Sequence, residues 1–254
     1  MKKSILFGFL SVAMMSLCGC LNPHLSSMGA SQMIVAHQPR LAVNGDSSAL
    51  TVALDGFGGA KMTGRNIKDG FSAGATAALN YRPFGITSPL YVQAAFGGKG
   101  GNASFDCSEA GKCNDGYNAW LETSAGRKKY SFWNLQERMS VGAEFDIGPV
   151  ILGLGAGVQL FEGGGDFDDV RDYLGKSLAE NDDEGYGVKL YSSARIGARL
   201  GAYGVVAFDT DVMWLKTLNV GLMLNYFHPS GFHGGFFAAQ KVGYGVNFGK
   251  TFSF

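Results

Sequence analysis

The sequence predicts an all-β chain folded as a closed, antiparallel up-and-down barrel of eight strands, and three observations predict it. Apolar and polar residues alternate with period two from residue 49 to the end. The 254 residues include 39 Gly, 10 Tyr and 19 Phe but only 6 Pro, and just 17% are charged, against roughly 25% in a soluble domain. Beyond the N-terminal segment, no run reaches the roughly 18 continuous apolar residues of a membrane-spanning helix. A chain that is oily on one strand face and polar on the other, yet poor in charge, suits a wall between lipid and a polar lumen. If it spans a bilayer, it does so as a closed barrel, because lipid offers no partner for open backbone groups. Net charge is +0, and nothing points to nucleic acid.

The N-terminal segment is of another kind. Lys2 and Lys3 precede one apolar run, Ile5 to Leu17. That run is too short to cross a bilayer of roughly 30 Å as a helix, but it has the layout of a secretory signal. It ends in Leu17-Cys18-Gly19-Cys20, which resembles the lipobox of bacterial lipoproteins. Leu17, Gly19 and Cys20 match, and Cys18 departs from the usual residue. The resemblance implies a signal peptide over 1–19, lipidation of Cys20, and sorting to the outer membrane, since Leu21 is not the Asp that marks inner-membrane retention. Ordinary cleavage near Ala30 is the alternative. Residues 20–48 carry Pro23 and Pro39 without a sustained period and read as a periplasmic tether, leaving 49–254 for the barrel.

Eight segments carry the alternation. They are Leu50–Gly56, Phe71–Arg82, Leu90–Gly97, a fourth from Leu135 to Ile147, a fifth from Val150 to Leu160, a sixth from Val188 to Leu200, then Leu218–Phe227 and Lys241–Phe254. In the second, Phe71, Ala73, Ala75, Ala77, Leu79 and Tyr81 oppose Ser72, Gly74, Thr76, Ala78, Asn80 and Arg82. In the fifth, the polar face is Gly153, Gly155, Gly157 and Gln159. Short links near 83–89 and 147–149 alternate with long ones near 57–69, 98–131, 162–186 and 228–238, the habit of outer-membrane barrels. The link 201–217 breaks this rule, and its Val205, Val206, Ala207 and Phe208 leave room for further strand. Tyr81, Phe145, Phe161, Tyr186 and Tyr226 at strand ends are expected to form interfacial girdles.

A soluble sandwich also alternates. The polar faces here mix Gly with long Arg and Lys, which suits a narrow interior. Tyr244, Val246, Phe248, Phe252 and Phe254 share one face, and Lys250 departs from it in chemistry. This run resembles the C-terminal signature read by the barrel-assembly machinery. Residues 49–254 as a whole resemble the small OmpA/OmpX-type outer-membrane barrels. The resemblance implies the outer membrane of a Gram-negative bacterium, with outer-membrane lipid, lipopolysaccharide, the assembly machinery and an extracellular ligand as partners.

Inward charges are expected at Asp55, Arg82, Arg138, Glu144, Asp146, Lys189, Arg195, Arg199 and Lys241. A buried ion costs several kcal/mol unless paired. Arg82, Arg138, Glu144, Lys189, Arg195 and Arg199 are therefore read as one charge network, its Arg side chains lying across the glycines of the fifth strand, pairing with Glu144 and closing the lumen. A narrow anion-preferring channel is the alternative.

Other motifs carry less. His228-Pro229-Ser230, placed near the outer rim, is similar to the Ser and His of lipid A deacylases, but no acid follows Asp211 to orient the base. Cys107 and Cys113 suit a disulfide in an exported protein, with free thiols as the alternative. Nine acidic residues between Glu162 and Glu184 lack the spacing of a calcium loop and read as a solvated run or as part of a short amphipathic helix over Asp168–Glu180. Gly58-Gly59, Gly97-Gly98 and Gly163-Gly164-Gly165 read as loop hinges. His24, His37, His228 and His233 have no metal-ligand spacing, so neither metal nor cofactor is expected. The expected function is a non-enzymatic envelope scaffold whose loops bind or brace. A porin-like channel comes next and a lipid A-modifying enzyme third.

Overall fold

A computed structural model describes residues 49–60, 67–105, 115–166, 186–214, 219–239 and 243–254. The strands are β1 Leu50–Ala60, β2 Ile67–Tyr81, β3 Leu90–Phe105, β4 Tyr130–Ile147, β5 Val150–Gly164, β6 Tyr186–Arg199, β7 Val205–Trp214, β8 Asn219–Phe227, β9 Phe232–Ala239 and β10 Gly243–Ser253. Among the described residues an α-helix, α1 Asp115–Glu122, lies between β3 and β4, and a short 3-10 turn, Gly201–Tyr203, lies between β6 and β7. Every strand pairs antiparallel with its chain neighbours, and β10 pairs with β1 to close the barrel.

The barrel has ten strands, which corrects the expected eight. β7 fills the ambiguous link after residue 200, and β9 lies where a long loop was expected. Both were hidden for one physical reason. Their inward faces are partly apolar (Val205, Ala207 and Met213 in β7; Phe237 and Ala239 in β9), so the oily-polar contrast that marks the other strands fades. The sequence also places strand ends too early. β3 runs on to Phe105 and β1 to Ala60, which puts Gly58-Gly59 and Gly97-Gly98 inside strands, and Gly163-Gly164 closes β5.

Ten strands sort the links onto the two ends of the barrel, with the two longest, 106–129 and 165–185, at the same end. One end of the barrel carries both described chain ends and four short links, at 82–89, 148–149, 200–204 and 228–231. The other end carries the links at 61–66, 106–129, 165–185, 215–218 and 240–242. We call these the terminus end and the loop end. The tightest link is Gly148-Pro149, with Gly148 at φ 64°, the sign a two-residue primed hairpin turn requires. At the loop end, Trp120 of α1 stacks on Tyr130 at a centroid distance of 6.3 Å, and Tyr130 Oη donates to the carbonyl of Ala125 at 2.9 Å.

The faces sort cleanly. Along β4, Phe132, Asn134, Gln136, Arg138 and Glu144 are buried inside the barrel, while Trp133, Leu135, Met139, Val141, Phe145 and Ile147 face outward. Tyr81, Phe145 and Tyr226 also face outward. Phe161 does not. It is 6% exposed and points into the lumen, because odd residues of β5 face inward; this corrects its place in an outer girdle.

Candidate functional site

The lumen is where this chain concentrates its chemistry. Eight strands give an interior that side chains just fill, and diameter grows with strand number. Here long side chains reach inward, and Arg138, Tyr191, Phe227 and Gln159 are among the largest fully buried ones.

One wall of the lumen, from the end of β2 to β7, is ionic. Nearest the terminus end, Arg199 Nη2 lies 2.5 Å from Asp146 Oδ1. Above it, Glu144 takes Arg195 Nη1 at 3.3 Å on one oxygen and Arg82 Nη2 at 3.6 Å on the other. Arg195 Nε donates to Asp209 Oδ1 at 2.7 Å, so four side chains form a continuous chain. Closer to the loop end, Arg138 Nη1 pairs with Asp211 Oδ2 at 2.7 Å. Arg138 also donates to Gln159 Oε1 through Nε and Nη2 at 3.3 and 3.0 Å, and its guanidinium lies 4.1 Å from the Tyr191 ring centroid. Arg195 lies over the Phe227 ring at 5.4 Å. Breaking one such buried pair leaves an uncompensated charge and costs about 3–5 kcal/mol.

Glycine makes this arrangement fit. A side chain at Gly142 would strike the Tyr91 ring at 2.4 Å, and one at Gly153 would meet Arg195 Cβ at 3.1 Å. The guanidinium of Arg82 in turn lies 5.8 Å from the Tyr91 centroid. The opposite wall is more apolar. Phe57 meets Phe237 edge-on at 6.1 Å, beside Met223 and Ala239. On the same wall, Asp55 Oδ1 of β1 and His233 Nε2 of β9 pair at 2.5 Å, both buried.

Of the six network residues read from the sequence, Arg195 and Arg82 are the ones that contact Glu144. Arg138 reaches Asp211 and Arg199 reaches Asp146. Lys189 is buried with its ammonium 4.8 Å from the Phe161 centroid. Sequence reasoning missed Asp209, Asp211, Tyr91 and Gln159. A signal for the two acids existed: five cations against Glu144 alone is a sum that demands further carboxylates, and Asp209 and Asp211 fall two apart, on one strand face.

His228 and Ser230 lie elsewhere than expected. They form the turn between β8 and β9 at the terminus end, not at a rim shared with the long links. His228 Nδ1 lies 2.7 Å from Ser230 Oγ and also accepts the Ser230 N–H at 3.1 Å. The same ring nitrogen that a catalytic base would need is thus tied to its own turn. Tyr244, Val246, Phe248, Phe252 and Phe254 all stand exposed on the outward face of β10 and its end. Cys20, Cys107, Cys113, Lys241, the signal and tether segments, and the acidic stretch beyond Asp166 lie outside the described residues.

No protein-family model and no curated protein matches the chain. Among solved structures it is similar to the translocator domain of the autotransporter NalP from Neisseria meningitidis, at 12% identity and a TM-score of 0.36, covering 81% of this chain and 88% of that one. It is also similar to the COG4313 outer membrane channel from Pseudomonas putida F1, at 10% identity and a TM-score of 0.39, covering 88% of this chain and 98% of that one. At these values the likeness carries neither function nor location across to this chain.

Proposed function

We propose that the chain is an outer-membrane barrel of non-enzymatic role, its lumen closed by ion pairs and its loop-end segments serving as the binding or bracing surface. The observation that carries this reading is the buried chain Arg82–Glu144–Arg195–Asp209 with Arg138–Asp211 above it, inside a wall whose outer face is apolar. Charges paired at this depth tie β4, β6 and β7 together along one wall of the lumen and fill that side of it with long side chains. Function on a rigid scaffold then falls to the links between strands.

Conductance of the purified full chain in planar bilayers tests this. The unmodified protein is expected to give no steady current. A Glu144→Ala/Asp211→Ala variant, which strips two hubs of the network, is expected to give discrete openings. Steady conductance in the unmodified protein would sink the closed-lumen reading.

A narrow channel is the second reading, and one observation favours it. Gln93 Oε1, Gln159 Nε2, Asn225 Nδ2 and Asn247 Oδ1 are buried with no protein hydrogen-bond partner among the described residues. Buried polar atoms of this kind are satisfied by water, so the lumen has wet places a solute could use.

A further inference from the structure

One cation stands on the wrong side of the wall. Along β10 the even residues face outward, and Lys250 sits between Phe248 and Phe252 on that face. In register it opposes Leu54 of β1 and Phe232 of β9, so its flanks are apolar on both neighbouring strands. Its ammonium lies 4.4 Å from the Phe232 centroid and 5.5 Å from the Phe252 centroid. Among the described residues no carboxylate and no hydrogen-bond acceptor reaches it. The direction of the side chain is informative. Phe232 is the first residue of β9 and Phe252 stands near the end of β10, so the ammonium leans toward the terminus end of the barrel.

A lysine ammonium is a compact, strongly hydrated charge with three donors, and aromatic faces attract it without satisfying those donors. On a lipid-facing wall such a charge costs about 2–4 kcal/mol at mid-depth and about 0–1 kcal/mol near the interface. A long side chain lowers that cost by snorkelling toward the headgroups, where the complementary anion is phosphate. We propose that Lys250, seated on Phe232 and Phe252, binds the phosphate of an anionic membrane phospholipid in the leaflet at the terminus end. This rests on the membrane reading above. The two rings fix the ammonium at one height and against one face, which makes a site rather than a diffuse attraction.

The full chain reconstituted into vesicles of phosphate-free galactolipid doped with phosphatidylglycerol tests the proposal, with native mass spectrometry counting the lipid it retains. The unmodified protein is expected to hold one phosphatidylglycerol selectively. Lys250→Gln is expected to hold it about five-fold more weakly, and Lys250→Arg to hold it like the unmodified protein. Equal retention in Lys250→Gln overturns the site. Release from the unmodified protein by excess inorganic phosphate would show a free-anion site instead and also overturns it. Should Lys250→Gln fail to insert, the unmodified protein decides alone: no preference for phosphatidylglycerol over galactolipid overturns the site. Failure of the unmodified protein to insert at all is a separate result, and removes the membrane reading and this one together.

Discussion

Between Asp55 and His233 stands a residue that cannot carry a side chain. Gly249 of β10 is the register partner of both, and a Cβ there would lie 2.5 Å from His233 Nε2, 2.8 Å from Asp55 Oδ1 and 2.4 Å from the carbonyl of Leu54. The Asp–His pair therefore closes directly over the glycine and links β1 to β9 across the strand pair that seals the barrel. Gly249→Ala forces the pair apart or shifts backbone, and overpacking of this kind costs about 1–3 kcal/mol. The variant is expected to lose its compact, unboiled gel form at a lower temperature than the parent. Asp55→Asn, which keeps the shape but removes the charge, separates the two contributions: if Gly249→Ala adds no further loss in that background, its whole effect runs through the pair.

At the scale of elements, the β4–β5 hairpin shows how much of the fold was legible. Its strands alternate strictly, Arg138 and Glu144 share a face, and Gly148-Pro149 marks the turn, all readable from residues alone. Gly148 sits at φ 64° with open space around it, so Gly148→Ala meets no clash and reports backbone strain only. That strain is about 1–2 kcal/mol, and Gly148→Ala is expected to lower the midpoint of thermal unfolding accordingly. β7 and β9 were not legible in the same way. A period-two reading finds a strand by contrast between its faces, and Val205, Ala207, Phe237 and Ala239 remove the contrast by facing inward while still apolar. The charge network failed in part for the same reason, since Asp209 and Asp211 ride on β7. Arg195 and Glu144 could be placed together because their strands flank the all-Gly face of β5, whereas the partner of Arg138 could not be found without the strand that carries it.

For the whole molecule, the walls differ in height. β2 to β6 have 14 to 18 residues each, while β7 to β10 have 8 to 11. At about 3.4 Å per residue and a tilt near 40°, β8 rises about 21 Å from Asn219 to Phe227, not far short of the roughly 25 Å apolar band of an outer-membrane barrel. On that reading the extra residues of β2 to β6 carry the taller wall past the bilayer at the loop end, where the long links 106–129 and 165–185 join them. The outward face of β4 agrees: Ile147, Phe145, Ala143, Val141 and Met139 are followed by Glu137, and only then by Leu135 and Trp133. From Ile147 to Met139 is about 21 Å of rise by the same geometry. This gives a test in which depth, not residue type, decides the outcome. Val141→Arg places a charge inside the band and is expected to cost about 2–4 kcal/mol of folding stability in lipid vesicles. Leu135→Arg, six residues along the same face and beyond Glu137, is expected to cost no more than about 1 kcal/mol. Both positions are substantially exposed in the barrel taken alone, at 63% and 43%, so a barrel standing in water would tolerate the two changes alike. Equal costs for Val141→Arg and Leu135→Arg, measured by denaturant titration in vesicles, would mean that the apolar wall does not face lipid.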